Sequence, residues 1–475
     1  RRAHGRHHHS RVMIDVAIIG GGPIGTLLAN LLGRRGHSVT VLEKQAQPYP
    51  LPRAIHFDGE AMRCFQATGL AQQILPHTHV GKGMLFKDAT GKTLIDWSRD
   101  QEIGPMGWHE SYRFYQPGLE AVLRDGLDRF AHVTLKSGQE VTGITQSDQC
   151  ATLTTAQWHQ IEAAYVIGAD GTTSFTRDCI GSAMENLGFQ ERWLVVDVLL
   201  TRPREDLGAH SIQYCDPDAP ATYVRGVGAR RRWELRLDPD DPETFSDAQV
   251  WAKLNRWITP QDGALERHAV YTFRSRIATQ WRLGRCLIAG DAAHQMPPFM
   301  GQGMCAGVRD AANLAWKLSA VLTGADAALL DTYQSERDAN ARAFIEMSVA
   351  LGRLINQTAR GHLPEGRMRS IWPKLGPGLG PRDGTAAGGL APQITTAQGV
   401  LADDAAGQDF YLLSTTPLDL PGWTVFTGAQ DWLSRQGYSA ALIRPDGYCL
   451  DGISPGESPG RLTALAESIR PAFGP

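Results

Sequence analysis

None of the seven cysteines (Cys64, Cys150, Cys179, Cys215, Cys286, Cys305 and Cys449) forms a CxxC pair, and an odd, scattered set argues against a disulfide framework. Reduced thiols in a cytoplasm are the expectation. No apolar run approaches the roughly 20 residues needed to cross a bilayer, so no membrane association is expected. The apolar stretch after Met13 is interrupted by Asp15 and then by glycines, unlike a signal-peptide core. Basic residues are not in surplus: 47 Lys and Arg stand against 50 Asp and Glu, a net charge of −3. Nothing draws such a chain to a phosphate backbone, and nucleic acid is not expected as a partner. Internal repeats, low-complexity tracts, clusters with metal-ligand spacing and a GxSxG turn are also missing, so no metal is expected.

What is present is a chain of 475 residues, 42% apolar and 20% charged, with the profile of a globular protein. At roughly 150 residues per domain that suggests two or three units. Residues 1–12 hold four of the 15 His and read as a tag or flexible arm. The apolar run Ile14 to Ile19 reads as a buried parallel strand and leads into Gly20-Gly21-Gly22-Pro23-Ile24-Gly25, a GxGxxG. Ile24, Leu27, Leu28, Leu31 and Leu32 then line one helical face, Gly36 ends the helix, and a second strand closes on Glu43. In this frame Gly20 permits a tight turn, Gly22 lets the backbone approach a pyrophosphate and Gly25 lets helix and strand pack closely, with the helix N-terminus toward the phosphates. Glu43, about 20 residues on, stands where an acid takes hydrogen bonds from the adenosine ribose. The pattern predicts a dinucleotide site and leaves NAD or FAD open.

Two later segments bear on that choice. At 281–317 a buried-strand run, RCLIAG, delivers Asp291 at its carboxyl end, where open α/β sheets bind ligands. Gly301, Gly303 and Gly307 precede a helical stretch, so a helix N-terminus with about half a positive charge is predicted to face a ring. The segment resembles the second FAD motif of the single-component flavoprotein aromatic hydroxylases, and VIGADGTTSFTR (166–177) resembles that family's DG motif through Asp170, Gly171, Ser174 and Arg177. The resemblance covers most of residues 13–355. It is nearest to the 3-(3-hydroxyphenyl)propionate hydroxylases, through PRA at 52–54, YQPGLE at 115–120 and RRWEL at 231–235.

The resemblance implies an α/β fold: a Rossmann-like FAD-binding domain (13–80, 116–189 and 281–355) interleaved with a β-sheet substrate domain (81–115 and 190–280). A linker (356–395) and a small thioredoxin-like C-terminal domain (396–475) follow. It implies that Pro297 walls the flavin near its reactive carbon, that Pro298 stands beside it, and that Gly301, Gly303 and Met304 supply backbone groups to the pyrimidine edge. Asp291 would take the ribityl chain, Arg53 would lie near the path of the flavin, Gln116 would contact the cofactor and Asp170 would sit close to it. His294 reads as a proton carrier or a structural hydrogen bond. Within the strand-like stretches of 190–280, Tyr214, Tyr223 and Arg225 are the leading substrate candidates, with Trp233 and Arg236 behind them. A DPDAP segment places Ala219 where the nearest subgroup tends to have Arg, which suggests a different substrate. The tail lacks CxxC, so packing or dimer contacts are expected of it.

The function so implied is an FAD-dependent monooxygenase that consumes NAD(P)H and molecular oxygen and hydroxylates a phenolic or related small aromatic ring through a flavin C4a-hydroperoxide. The protein would be a monomer or homodimer. A large polyketide or antibiotic substrate is the alternative within that chemistry. A flavin-bearing interaction module without turnover is the alternative outside it. A halogenase would carry a WxWxIP signature that this chain lacks.

Overall fold

The computed structural model describes residues 13–358, 372–379 and 387–469; residues 1–12 and half of the expected linker lie outside that set. The strand Ile14–Ile19 runs through the middle of an eight-stranded sheet, flanked in parallel by Gln160–Gly168 and Val39–Glu43, with Cys286–Ile288 and Val133–Ser137 beyond. Covered on both faces, these strands read as continuous apolar runs, as a parallel sheet requires. The helices Pro23–Arg34 and Gly303–Leu322 pack side by side on it. Gly307 is the contact: an added Cβ there would sit 2.8 Å from Ile24 and 3.0 Å from Gly290.

A second eight-stranded sheet covers the cofactor side. Its order is His294–Gln295, Gly263–Ala278, Met184–Leu200, Arg230–Arg236, Ala221–Arg225, Ser211–Cys215, Gly83–Asp88 and Thr93–Ser98. A small three-stranded sheet, His56–Asp58, Ser111–Phe114 and Thr78–Val80, sits between the two. The expected boundary at 189/190 falls inside the single strand Met184–Leu200, because one long strand carries the chain from the flavin layer into the cover. Segment 81–115 also divides: the hairpin 83–98 joins the cover sheet, whereas Ser111–Phe114 pairs with His56–Asp58.

In the tail, Tyr411–Ser414 pairs in parallel with Val425–Thr427 and antiparallel with Ala440–Ile443, which pairs antiparallel with Cys449–Ile453 before the helix Gly460–Ile469. This is the strand order of a thioredoxin-like unit. Residues assigned to the linker are part of it: Leu390 bridges Tyr448, and the Ala391 amide donates to the Gly447 carbonyl. Buried polar pairs dock the unit on the flavin domain. They are Arg63 with Asp403 at 2.6 Å, Arg444 with Glu336 at 2.8 Å, and the Tyr448 hydroxyl with Glu60 at 2.6 Å. Trp316, on the helix Gly303–Leu322, belongs to the apolar core of the tail. Among the described residues all seven cysteines are free, no cluster could hold a metal, and no helix is long and apolar enough to cross a membrane.

Candidate active site

The glycine turn places its residues as the spacing requires. Gly20 has φ +106, and a Cβ there would lie 2.3 Å from the Ala169 carbonyl oxygen. A Cβ on Gly25 would lie 1.9 Å from the Gly20 oxygen, so only glycine lets helix and strand approach. Gly22 is different: it has an ordinary φ of −78 and a Cβ would meet nothing within 4 Å. It precedes Pro23–Arg34, whose N-terminus has no side-chain cap, so its free amides open onto space. Glu43 accepts from the Gly21 amide (2.8 Å) and the Gln45 amide (2.8 Å), one on each oxygen, which leaves lone pairs on both for further donors. Arg124, which the sequence gave no reason to choose, donates to the Gly21 carbonyl at 2.6 Å.

Asp291 lies on a tight turn after Cys286–Ile288. It is open to solvent on one side and hemmed in by protein on the others, and its carboxylate has no hydrogen-bond partner among the described residues. That dehydration pushes its carboxyl up from the ordinary range, against the pull of His294 and Arg53. Gly301 takes a left-handed conformation, φ +63, and leads into the helix Gly303–Leu322, whose N-terminus is also uncapped by a side chain; Met304 is in its first turn and partly buried. Two uncapped helix ends and an unpartnered carboxylate between them fit the parts of FAD: pyrophosphate at Gly22, ribityl hydroxyls at Asp291 and the pyrimidine edge at Gly301 to Met304.

Other expected residues support this cradle from behind. Gln116 Oε1 accepts from the Arg53 and Ala54 amides (3.0 and 2.6 Å) and its amide donates to Glu120, so its side chain fixes the PRA loop. Arg53 is exposed, its guanidinium 4.4 Å from the Tyr49 ring. Arg232, buried and paired with Asp197, holds the same loop through the carbonyls of Pro52 and Arg53. Asp170 caps the turn into Phe175–Cys179, accepting from Ser174 Oγ and from Thr176 N and Oγ1. Arg177 donates to the Ala292 carbonyl at 3.1 Å, which ties that turn to Asp291.

The two catalytic candidates, His294 and Pro297, lie outside the cavity lining. His294 is buried behind the Asp291 turn, with Nε2 2.6 Å from Asp310, which Arg337 holds at 2.8 Å; burial works against ionised Asp310, but His294 and Arg337 keep its carboxyl low. The ring lies outside the cavity lining, with Nδ1 buried and without a hydrogen-bond partner among the described residues. Pro297 is buried with its carbonyl against Ser348, and the turn presents Pro298, Phe299, Met300 and Gly301 to the cavity instead.

The substrate candidates lie on the wrong face of the cover sheet. Tyr223 packs on Trp233 (5.1 Å) and Tyr214 on Trp257 (5.1 Å) in the core beneath it, while Arg225 donates to the Gly208 carbonyl. Strand alternation turns their neighbours Thr222, Val224 and Glu234 to the cavity. Met84, Trp97, Arg99, His56, Ser111 and Arg113 complete a lining that sequence reasoning missed. The space they line is about 80 Å³ and is partly open. Arg113 is 8% exposed, donates to Ser211 Oγ at 3.0 Å and faces no carboxylate within ion-pair distance. Burial pushes its guanidinium down to about 10.

Comparison with known proteins settles the family. Residues 13–348 match the model described as "FAD binding domain". A probable NADH-specific resorcinol 4-hydroxylase of Rhodococcus jostii (strain RHA1) is 36% identical, over 98% of this chain and 96% of that one. This chain belongs to the single-component FAD-dependent aromatic hydroxylases. A hydroxylase of this family from Mycolicibacterium gilvum (strain PYR-GCK), named for 3-(3-hydroxy-phenyl)propionate and 3-hydroxycinnamic acid, is 38% identical over 73% of this chain and 61% of its own length. The fold is that of a solved ternary complex of aklavinone-11 hydroxylase with FAD and aklavinone, with a TM-score of 0.78 at 21% identity, covering 96% of this hydroxylase and 98% of that chain. The hydroxylase is therefore an FAD-dependent, NAD(P)H-consuming aromatic monooxygenase acting on a phenolic or related ring, with molecular oxygen as co-substrate. Changing Asp291→Ala in it is expected to weaken FAD binding about 10- to 100-fold, as loss of charge-assisted hydrogen bonds of about 1.5–3 kcal/mol implies; fluorescence titration of the apoprotein measures it.

Proposed function

We propose that this hydroxylase acts on a single phenolic ring bearing a second hydroxyl, of the resorcinol type, with NADH as reductant, in a cytoplasm that keeps its thiols reduced. The observation that carries the reading is the cavity. Its 80 Å³ of free space holds a handful of waters at ~10–15 Å³ each, the room of one ring and not of a fused polycycle. Two sets of polar groups reach it from different sheets: His56 and Ser111 from the small one, Thr222 and Glu234, paired across adjacent strands, from the cover. They suit two hydroxyls on one ring. Similarity to the Rhodococcus jostii relative along the whole chain, tail included, supports the same substrate class and NADH.

Bound FAD would supply the redox chemistry, taking reducing equivalents from NADH and activating oxygen for the ring. The chain's own part is to hold and shelter. The backbone of Pro298 to Gly301 forms one wall, Met84, Trp97 and Val224 exclude water, and Arg113 offers positive charge to an ionising hydroxyl. Burial pushes the Glu234 carboxyl up against the pull of Arg232 and Arg267, so it is suited to share a proton with a substrate hydroxyl.

The test is NADH oxidation and product analysis with resorcinol, phenol, 3-(3-hydroxyphenyl)propionate and a polycyclic phenol. Resorcinol is expected to give the highest kcat/KM and a trihydroxybenzene product; a clear preference for the polycycle would remove the reading. In Glu234→Leu, kcat/KM for resorcinol is expected to fall about 10- to 100-fold, the worth of a hydrogen bond to a charged or proton-sharing group, and that for phenol by much less.

A further inference from the structure

One loop joins the cavity to the tail. Residues 99–110 connect Thr93–Ser98 of the cover sheet to Ser111–Phe114 of the small sheet, and both roots line the cavity: Trp97 and Arg99 where the loop leaves, Ser111 and Arg113 where it returns. The Arg99 guanidinium lies 4.6 Å from the centre of the Trp97 ring, and its Nη1 lies 3.8 Å from Glu110 Oε2 at the far root. Beyond that pair the loop is pinched by the Ile103–His109 bridge and by the Gly104 amide, which donates to the Trp108 carbonyl. Its tip, Pro105 to Trp108, is held by the tail.

Buried Gln393 makes that hold. Its backbone amide donates to the Pro105 carbonyl and its side-chain amide to the Met106 carbonyl, both at 2.8 Å. The same side chain exchanges hydrogen bonds with Gln66 at 2.9 and 3.0 Å, and Gln66 also accepts from the Trp108 indole at 2.8 Å. Gly107 has φ +75, and a Cβ there would stand 3.0 Å from both Gln393 Nε2 and the Leu401 side chain, so the tip fits the tail without slack. The tail does not need this contact to dock, because Arg63 with Asp403, Arg444 with Glu336 and Tyr448 with Glu60 fasten it separately. The loop does need it: within 99–110 only Met106 and Trp108 are buried, and a segment with so few buried apolar contacts opens readily unless it is tied.

We propose that Gln393 is a positioning residue of the hydroxylase: by fastening the 99–110 loop it fixes Arg99 against Trp97 and keeps that wall of the cavity closed to water. This rests on the reading of the cavity as the substrate site. The tail thereby serves the reaction without touching the substrate, a role beyond packing. With the loop loosened, the ring is held less well and reducing power is lost. NADH, a proton and oxygen then give NAD+ and hydrogen peroxide, two electrons passing to oxygen and no oxygen atom reaching the ring.

The experiment compares FAD-loaded wild type, Gln393→Ala, Arg99→Met and the double variant. In Gln393→Ala the KM for resorcinol is expected to rise about 5- to 10-fold, the worth of one net hydrogen bond, and a larger share of the NADH to end as peroxide. Arg99→Met should show the same two changes. Because Gln393 acts through the loop that carries Arg99, the double variant should be little worse than Arg99→Met, the non-additivity of coupled residues. Effects on KM that multiply, an Arg99→Met enzyme with the KM and product yield of the wild type, or a Gln393→Ala enzyme that melts earlier yet keeps both, would overturn the proposal. Amide hydrogen exchange reads the loop without substrate. In Gln393→Ala the Gly104 and Gly107 amides should exchange about tenfold faster, for loss of the same hydrogen bond, while Tyr411–Ser414 and Ala440–Ile443 keep their protection; unchanged exchange in the loop would also overturn it. If the wild type turns over no phenol, the functional reading falls on its own, and exchange still decides whether Gln393 holds the loop.

Discussion

An Arg309→Met protein is expected to lose about 3–5 kcal/mol of stability, the usual result of removing one partner from a buried ion pair. Arg309 is 2% exposed and donates to Glu60 at 2.6 Å, Asp58 at 2.5 Å and Gln302 at 2.9 Å. Without it two carboxylates remain buried, with the Tyr448 hydroxyl on Glu60 and the Ala61 and Gln302 amides on Asp58 but no cation among the described residues paired to either. The pH dependence is fixed in sign. Burial raises the Asp58 carboxyl, but Arg309, with help from the Ala61 amide, His56 and Gln302, outweighs it, so its folded pKa is depressed; it stabilises above the ordinary carboxylate range and the contribution is lost as pH falls through the folded pKa. In the variant the folded pKa lies above the unfolded one, so the penalty is full at pH 7 and shrinks as acidification protonates the group. Urea unfolding at pH 7.5 and 5 should therefore show the gap from wild type narrowing, and an unchanged gap would speak against the ion-pair account. The damage should extend to the cofactor, because Arg309 also holds Gln302, the residue before the flavin-facing helix end.

The second large effect separates two glycines that the GxGxxG pattern treats alike. Gly25→Ala sets a Cβ 1.9 Å from the Gly20 oxygen, so helix and strand must part. Overpacking of this kind costs about 1–3 kcal/mol and occasionally more, and FAD affinity is expected to fall about 100-fold, equivalent to roughly 2.7 kcal/mol. Gly22→Ala meets no protein atom within 4 Å and needs no strained backbone. Its apoprotein should melt with the wild type, yet bind FAD poorly, because the new methyl occupies the cofactor's approach. Melting curves of both apoproteins with FAD titrations distinguish the roles; a Gly22→Ala protein that binds FAD normally would move the pyrophosphate elsewhere.

These glycines were legible in the sequence because local backbone geometry dictates them: one turn and one helix start lie within six residues. Asp291 was legible for the same reason, at the end of a buried strand. The cavity was not. Tyr223 lies on a strand with apolar residues on both faces, and a shift of one residue exchanges core for cavity, so composition could not decide which face was lined. His56, Ser111 and Arg113 meet only because strands more than 50 residues apart in the chain pair in the small sheet, and neither strand carries a sequence pattern beyond its apolar residues. For His294 the sequence left a proton carrier and a structural hydrogen bond open, because its spacing from Asp291 shows nothing of Asp310, which pairs with it from one later helix, or of Arg337, which holds Asp310 from the next.

The docking of the tail bears on how the protein is made. Glu60, near the start of the chain, finds its partners at Arg309 and at Tyr448, near the end, and Glu336 waits for Arg444. A ribosome has to pass Tyr448 before these contacts can form. A chain cut before Arg444 is therefore expected to keep its nucleotide turn but to leave Glu60 and Glu336 without these partners.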